Sequence, residues 1–122
     1  MKNRISPHVN IYKFPITAIS SISTRLTGLY LTGLFVSGGI YCLQNNKNLE
    51  EKYKSLSTNN KRIINMSIII PSTYHTFGGI RHFIWDKYPQ LLNNKSVARS
   101  SYLLFGISTL SSILIEKYIF TN

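Results

Sequence analysis

Three apolar stretches separated by polar connectors organise this 122-residue chain. They run from about residue 15 to 43, from about 63 to 85 and from about 102 to 120. Each supplies close to or more than the roughly 20 helical residues that cross a hydrocarbon core of about 30 Å. In the first, Pro15 suits an opening helical turn, where its missing N–H forfeits no bond. The fully apolar part begins only at Leu26, so Ile16 to Arg25 lies at or near the interface. In the second, Pro71 predicts a kink whose freed backbone groups neighbouring helices satisfy. All three stretches are diluted by Ser, Thr and Gly, so none reads as a lone anchor with lipid all round. Gly33 and Ser37 have the small-xxx-small spacing that lets helices approach closely. The pattern predicts an all-α membrane protein: three transmembrane helices preceded by an N-terminal interfacial segment over residues 1–14. A solvated polar loop (44–62) and a shorter loop (86–101) connect them within a single domain spanning 1–122.

Aromatic residues gather where the stretches end: Tyr12 and Phe14, Tyr41, Trp85 and Tyr88, Tyr102, Tyr118 and Phe120. Such belts mark the headgroup level. Charge then adds an orientation. With 14 Lys and Arg against 4 Asp and Glu, the net charge is +10. The basic residues flank the apolar stretches and do not interleave with aromatics on one face, which excludes a nucleic-acid groove and points to anionic lipid and protein partners. The side holding the N-terminus and the 86–101 loop carries eight basic residues and one acidic, the other side six and three. The positive-inside rule places the N-terminus in the cytosol or matrix. Cys42 is the only cysteine, so no intrachain disulfide forms. Met1 to Pro7 lacks the apolar core of a cleavable signal. Abundant Ile, Asn, Lys, Tyr and Ser suggest an AT-rich, organellar gene, an expectation that a GC-rich nuclear locus would remove.

Polar residues at membrane depth are functional candidates by default. Ser21 and Arg25, four apart, share a helical face at the mouth of the first span. A hydroxyl beside a fixed cation suits a ligand carbonyl, whose developing negative charge the guanidinium stabilises. The bland alternative is a serine bonded to its own helix and an arginine snorkelling to phosphates. On the second span, His75 lies roughly 18 Å from Ile63 and 15 Å from Trp85, near mid-membrane. A histidine there needs a haem iron, a proton relay or another helix as its partner. Gly78 and Gly79 leave space beside it for a flat cofactor or a neighbouring helix. His75 and His82 share a face about 10.5 Å apart and cannot flank one iron. The remaining histidine, His8, is interfacial, so a bis-histidine haem would need its second ligand from another chain. Arg25, Arg81 and His82 fall on one membrane side, with His75 about 9 Å deeper than Arg81.

The runs Ser6-Pro7-His8-Val9-Asn10-Ile11-Tyr12 and Phe14-Pro15-Ile16-Thr17-Ala18-Ile19, with Ser21-Ile22-x-x-Arg25-x-Thr27-Gly28 and Tyr74-His75-x-x-x-Gly79-Ile80-Arg81-His82-x-x-Trp85-Asp86, resemble the cytochrome b560 subunit family of succinate dehydrogenase, the larger membrane anchor of respiratory complex II. The resemblance covers roughly residues 4 to 106. It implies three transmembrane helices paired with a second membrane-anchor subunit beneath an iron-sulphur subunit and a flavoprotein subunit, in the mitochondrial inner membrane with the N-terminus on the matrix side. It implies a ubiquinone site at Ser21 and Arg25, with Ile22 on its wall and Phe14 near its entrance. It makes His75 the axial ligand of haem b and puts Arg81, His82 and Thr24 near the haem propionates or the quinone.

One position departs from the family pattern: Thr24 stands where a histidine usually precedes the motif arginine. A threonine hydroxyl donates a hydrogen bond but supplies no positive charge for a propionate. The expected function is an electron-transfer anchor that positions quinone while other subunits oxidise succinate. A haem-free structural anchor, the anchor of a related fumarate reductase, or a proton-relaying channel subunit remain the alternatives; the last lacks a mid-span acid. The family reading further expects an organelle-encoded chain or one whose transit peptide has been removed.

Overall fold

The computed structural model describes residues 14–44 and 49–121. The expected interfacial segment, with His8 and Tyr12, lies outside the described residues apart from Phe14. Among the described residues the elements are α1 (Ile16–Leu43), α2 (Leu49–Ser55), α3 (Thr58–Lys87), a 3-10 turn (Pro89–Leu91) and α4 (Asn94–Thr121).

Local chemistry fixes the boundaries. Pro15 precedes α1 in an extended conformation, and its carbonyl accepts the N–H groups of Ala18 and Ile19 at 3.0 and 3.2 Å. The 44–62 connector is less open than expected. It contains α2, whose Glu50 and Glu51 lie in the first turn and Lys52 and Lys54 in the last, the arrangement a helix dipole favours. α3 starts at Thr58, before the expected Ile63, because Ser57 caps it: the hydroxyl accepts the N–H of Asn60 at 3.4 Å. Likewise α4 starts well before Tyr102, where Asn93 Oδ1 accepts the N–H of Ser96 at 2.8 Å. α3 runs through Pro71 without interruption.

The three long helices pack together, α3 against both α1 and α4 and most closely against α4. Their interior is polar. Among the described residues Ser20, Thr24, Arg81, Ser101, Ser108 and Ser112 are buried, against only Leu31, Tyr74 and Leu104 of the large apolar ones. Leu29, Phe35, Leu43 and Phe83 are 72, 75, 87 and 74% exposed. This inside-out distribution suits a lipid solvent, in which small and hydroxyl residues join helices and apolar residues face outward. Among the described residues α1 and α4 are long and apolar enough to cross a membrane. α3, at 30 residues, has the length, but His75, Arg81 and His82 dilute its apolar character.

Close approach of α1 and α3 is made by glycines. A Cβ on Gly28 would stand 2.6 Å from His75 Cε1, and one on Gly78 would stand 2.9 Å from Thr24 Cγ2. Among the described residues, Gly33 has no neighbour within 4 Å of its Cβ position, so the expected Gly33 and Ser37 face meets no helix there. Gly78 receives a helix, while Gly79 faces open space.

Candidate functional site

The N-terminal third of α1, the C-terminal half of α3 and the start of α4 meet at one end of the bundle. Their centre is Arg81. Its Nε donates to Ser100 Oγ at 3.1 Å and its Nη1 to Ser20 Oγ at 3.1 Å. Its Nη2 donates to the Val97 carbonyl at 3.1 Å and to Ser101 Oγ at 2.8 Å. The guanidinium also lies 4.0 Å from the ring centroid of Trp85, a favourable stacking geometry for a cation shielded from water. Tyr74 adds a bond from its hydroxyl to the Ser20 carbonyl at 3.2 Å. Four of the five guanidinium N–H donors are thus turned to the helix interface, and Arg81 joins three helices there instead of reaching outward to a ligand.

His75 sits two helical turns deeper. Its Nδ1 is 3.0 Å from the Thr24 carbonyl. A carbonyl only accepts, so Nδ1 carries the proton, and in the neutral imidazole the lone pair is then on Nε2. A bond of this kind holds an imidazole in one orientation, as it does where an imidazole serves as a metal ligand. Gly28 supplies the clearance that lets the ring lie against α1. Thr24 has its hydroxyl bonded to the Ser20 carbonyl at 2.9 Å and its methyl against Gly78. The residue expected near the propionates therefore faces the helix interface.

Arg25 is exposed and Ser21 is partly buried. Neither makes a hydrogen bond or an ion pair among the described residues, so both polar groups are available to a ligand. Ile22 and Phe14 are 40 and 58% exposed on the same stretch of chain. His82 is exposed and meets Trp85 edge-on at 5.4 Å between ring centroids. The antiparallel register, with Ser20 beside Arg81, Thr24 against Gly78 and Gly28 against His75, sets Arg25 at a level between Arg81 and His75. Sequence reasoning brought these residues to one end but missed Ser20, Ser100 and Ser101. The available signal was the run Ser101, Leu104, Ser108, Ser112, whose three- and four-residue steps mark one helical face.

Residues 1–115 match the family described as the succinate dehydrogenase/fumarate reductase transmembrane subunit. This chain belongs to that family. The mitochondrial succinate dehydrogenase cytochrome b560 subunit of Dictyostelium discoideum is 30% identical over 89% of this chain and 58% of its own length. The corresponding subunit of Porphyra purpurea is 30% identical over 94% of both chains. The human mitochondrial subunit is 31% identical over 89% of this chain and 67% of its own. The transmembrane-subunit family accounts for the inverted burial, and within it the Arg81 seam is the part of this member that holds three helices together.

Proposed function

We propose that this chain is a membrane-anchor subunit of succinate dehydrogenase in the mitochondrial inner membrane. It crosses the bilayer three times, with α3 as the middle span, and pairs with a second membrane anchor beneath the iron-sulphur and flavoprotein subunits. The excess of basic residues on the side of the N-terminus and the 86–101 loop orients that side to the matrix. The observation that carries the reading is the bond from His75 to the Thr24 carbonyl, which ties the histidine to the short segment bearing Ser21 and Arg25.

The quinone is substrate here. Ser21 Oγ and the Arg25 guanidinium donate to one of its carbonyl oxygens, and the fixed cation stabilises the negative charge that builds there as electrons arrive. Ile22 and Phe14 give the site an apolar wall and entrance. Haem b, which the cytochrome b560 name of the relatives denotes, fits the donor set. His75 offers a lone pair on Nε2, its tautomer is fixed, and Gly28 clears room for the ring. When bound, such a haem supplies a one-electron redox centre. A second protein ligand would have to come from the other anchor, because His82 is seven residues away on the same face. Thr24 favours a second reading, a haem-free anchor, since its hydroxyl is engaged within α1; a reduced-minus-oxidised spectrum separates the two.

The test of the quinone site is Arg25→Ala in the assembled complex. Removing one donor to a developing oxyanion lowers turnover by about 10². Succinate–quinone activity therefore falls by about that factor, while succinate oxidation by an artificial dye is retained. Unchanged quinone kinetics would remove Arg25 from the site.

A further inference from the structure

A hollow of about 490 Å³ lies on the bundle surface, lined only by α3, α4 and the turn between them. Its lining is apolar except at one end, where Ser96, Arg99, Ser100 and the Arg81–Trp85 stack gather. Arg99 is exposed and has no hydrogen-bond or ion-pair partner among the described residues. No Asp or Glu lines the hollow, and the surrounding loop adds Lys87 and Lys95 against Asp86 alone. Trp85, amphipathic and partly buried, marks this end as the headgroup level.

We propose that the hollow binds one anionic phospholipid, with its phosphate on Arg99 and one acyl chain laid along Leu103 and Ile107 against Phe77. The site rests on the reading of α3 as a membrane span. Depth favours a lipid over a helix of another subunit. From Arg99 to Ile107 the groove descends eight residues, about 12 Å, close to the thickness of one leaflet, half of a core of about 30 Å. Past Phe77 a separate hollow begins, in which Ser72, Thr73, Thr76 and Ser111 stand among Phe77, Leu114 and Ile115. An acyl chain under a headgroup held at Arg99 ends with the first hollow, near the middle of the bilayer. A guanidinium with free donors accepts a phosphate bidentately, and a zwitterionic headgroup offsets that attraction with its own cation.

The test is native mass spectrometry of the detergent-solubilised complex titrated with dioleoyl phosphatidylglycerol or dioleoyl phosphatidylcholine. Phosphatidylglycerol stays bound and phosphatidylcholine does not. Arg99→Gln weakens phosphatidylglycerol retention about fivefold, the ratio corresponding to roughly 1 kcal/mol per basic residue at a membrane surface. Leu103→Trp, which fills the groove, abolishes retention, and both variants keep succinate–quinone activity. Equal retention of the two lipids, or no change in Arg99→Gln, overturns the proposal. So does a photo-crosslinker at position 103 that captures a polypeptide or a quinone. The span reading is scored separately by Ile80→Cys in a Cys42→Ser background. Labelling by a membrane-impermeant thiol reagent in sealed vesicles overturns span and site together. Protection without selective lipid binding counts against the lipid site alone.

Discussion

Arg81 and Arg25 lie at neighbouring levels of adjacent helices and have opposite surroundings. Arg81 is 9% exposed, donates four hydrogen bonds across three helices and stacks on Trp85. Arg25 is exposed, and its donors are unengaged among the described residues. A buried guanidinium is tolerated only when its donors are satisfied, which leaves it little to offer a ligand. A guanidinium meant for a transient partner must keep its donors free and depend on a neighbour to hold its helix still. On the proposed function the two cations divide these tasks: Arg81 fixes the segment on which Arg25 and Ser21 are displayed.

The largest expected effect tests the displayed side. His75→Ala removes the b-type absorbance of the complex altogether, read by a reduced-minus-oxidised spectrum and a pyridine haemochrome assay. A retained signal would move the ligand elsewhere. Next comes the structural side. Arg81→Ala removes four interhelical bonds averaging about 0.6 kcal/mol each and lowers the unfolding free energy of the complex by about 2–3 kcal/mol. Arg25→Ala changes it by less than about 0.5 kcal/mol, as exposed positions do. If Arg81→Ala instead left the melting transition in place and raised only the KM for quinone, the division of tasks would be wrong. The smallest effect is at Thr73, whose hydroxyl meets Ser112 Oγ at 2.7 Å. Thr73→Val costs about 0.6 kcal/mol, visible as a small shift in the same melt with quinone kinetics unchanged.

Much of this was legible in the chain. Length and apolarity gave the three long helices, and the positions of Ser21, Arg25 and His75 followed from helical spacing. Helix starts lie outside the span bounds because hydropathy marks where lipid begins, whereas Ser57 and Asn93 start helices several residues earlier, in polar sequence. The partners of Arg81 were hidden for a related reason: Ser20, Ser100 and Ser101 come from two other helices, and helical spacing within α3 says nothing of them. Gly78 illustrates the same limit, since a bare helix face admits a cofactor or a helix equally well, and only the position of Thr24 decides.

α3 and α4 are also joined far from Arg81. At the opposite end, Arg62 of α3 is 3.3 Å from Glu116 of α4, a carboxylate only 14% exposed, and the Arg62 guanidinium lies 5.0 Å from the Phe120 ring centroid. On the three-span reading this double fastening bears on biogenesis. α3 alone presents Arg81 to the translocon with its donors unpaired, and an unpaired basic residue opposes insertion, by about 2.5–3.5 kcal/mol at a helix centre and less toward the ends. Insertion of α3 in a reporter chain, compared with and without α4 attached, reads the consequence directly, and equal insertion would dismiss it. On that reading the middle span enters the bilayer as one arm of a hairpin, with Arg81 already paired to Val97, Ser100 and Ser101 of α4 before lipid meets it.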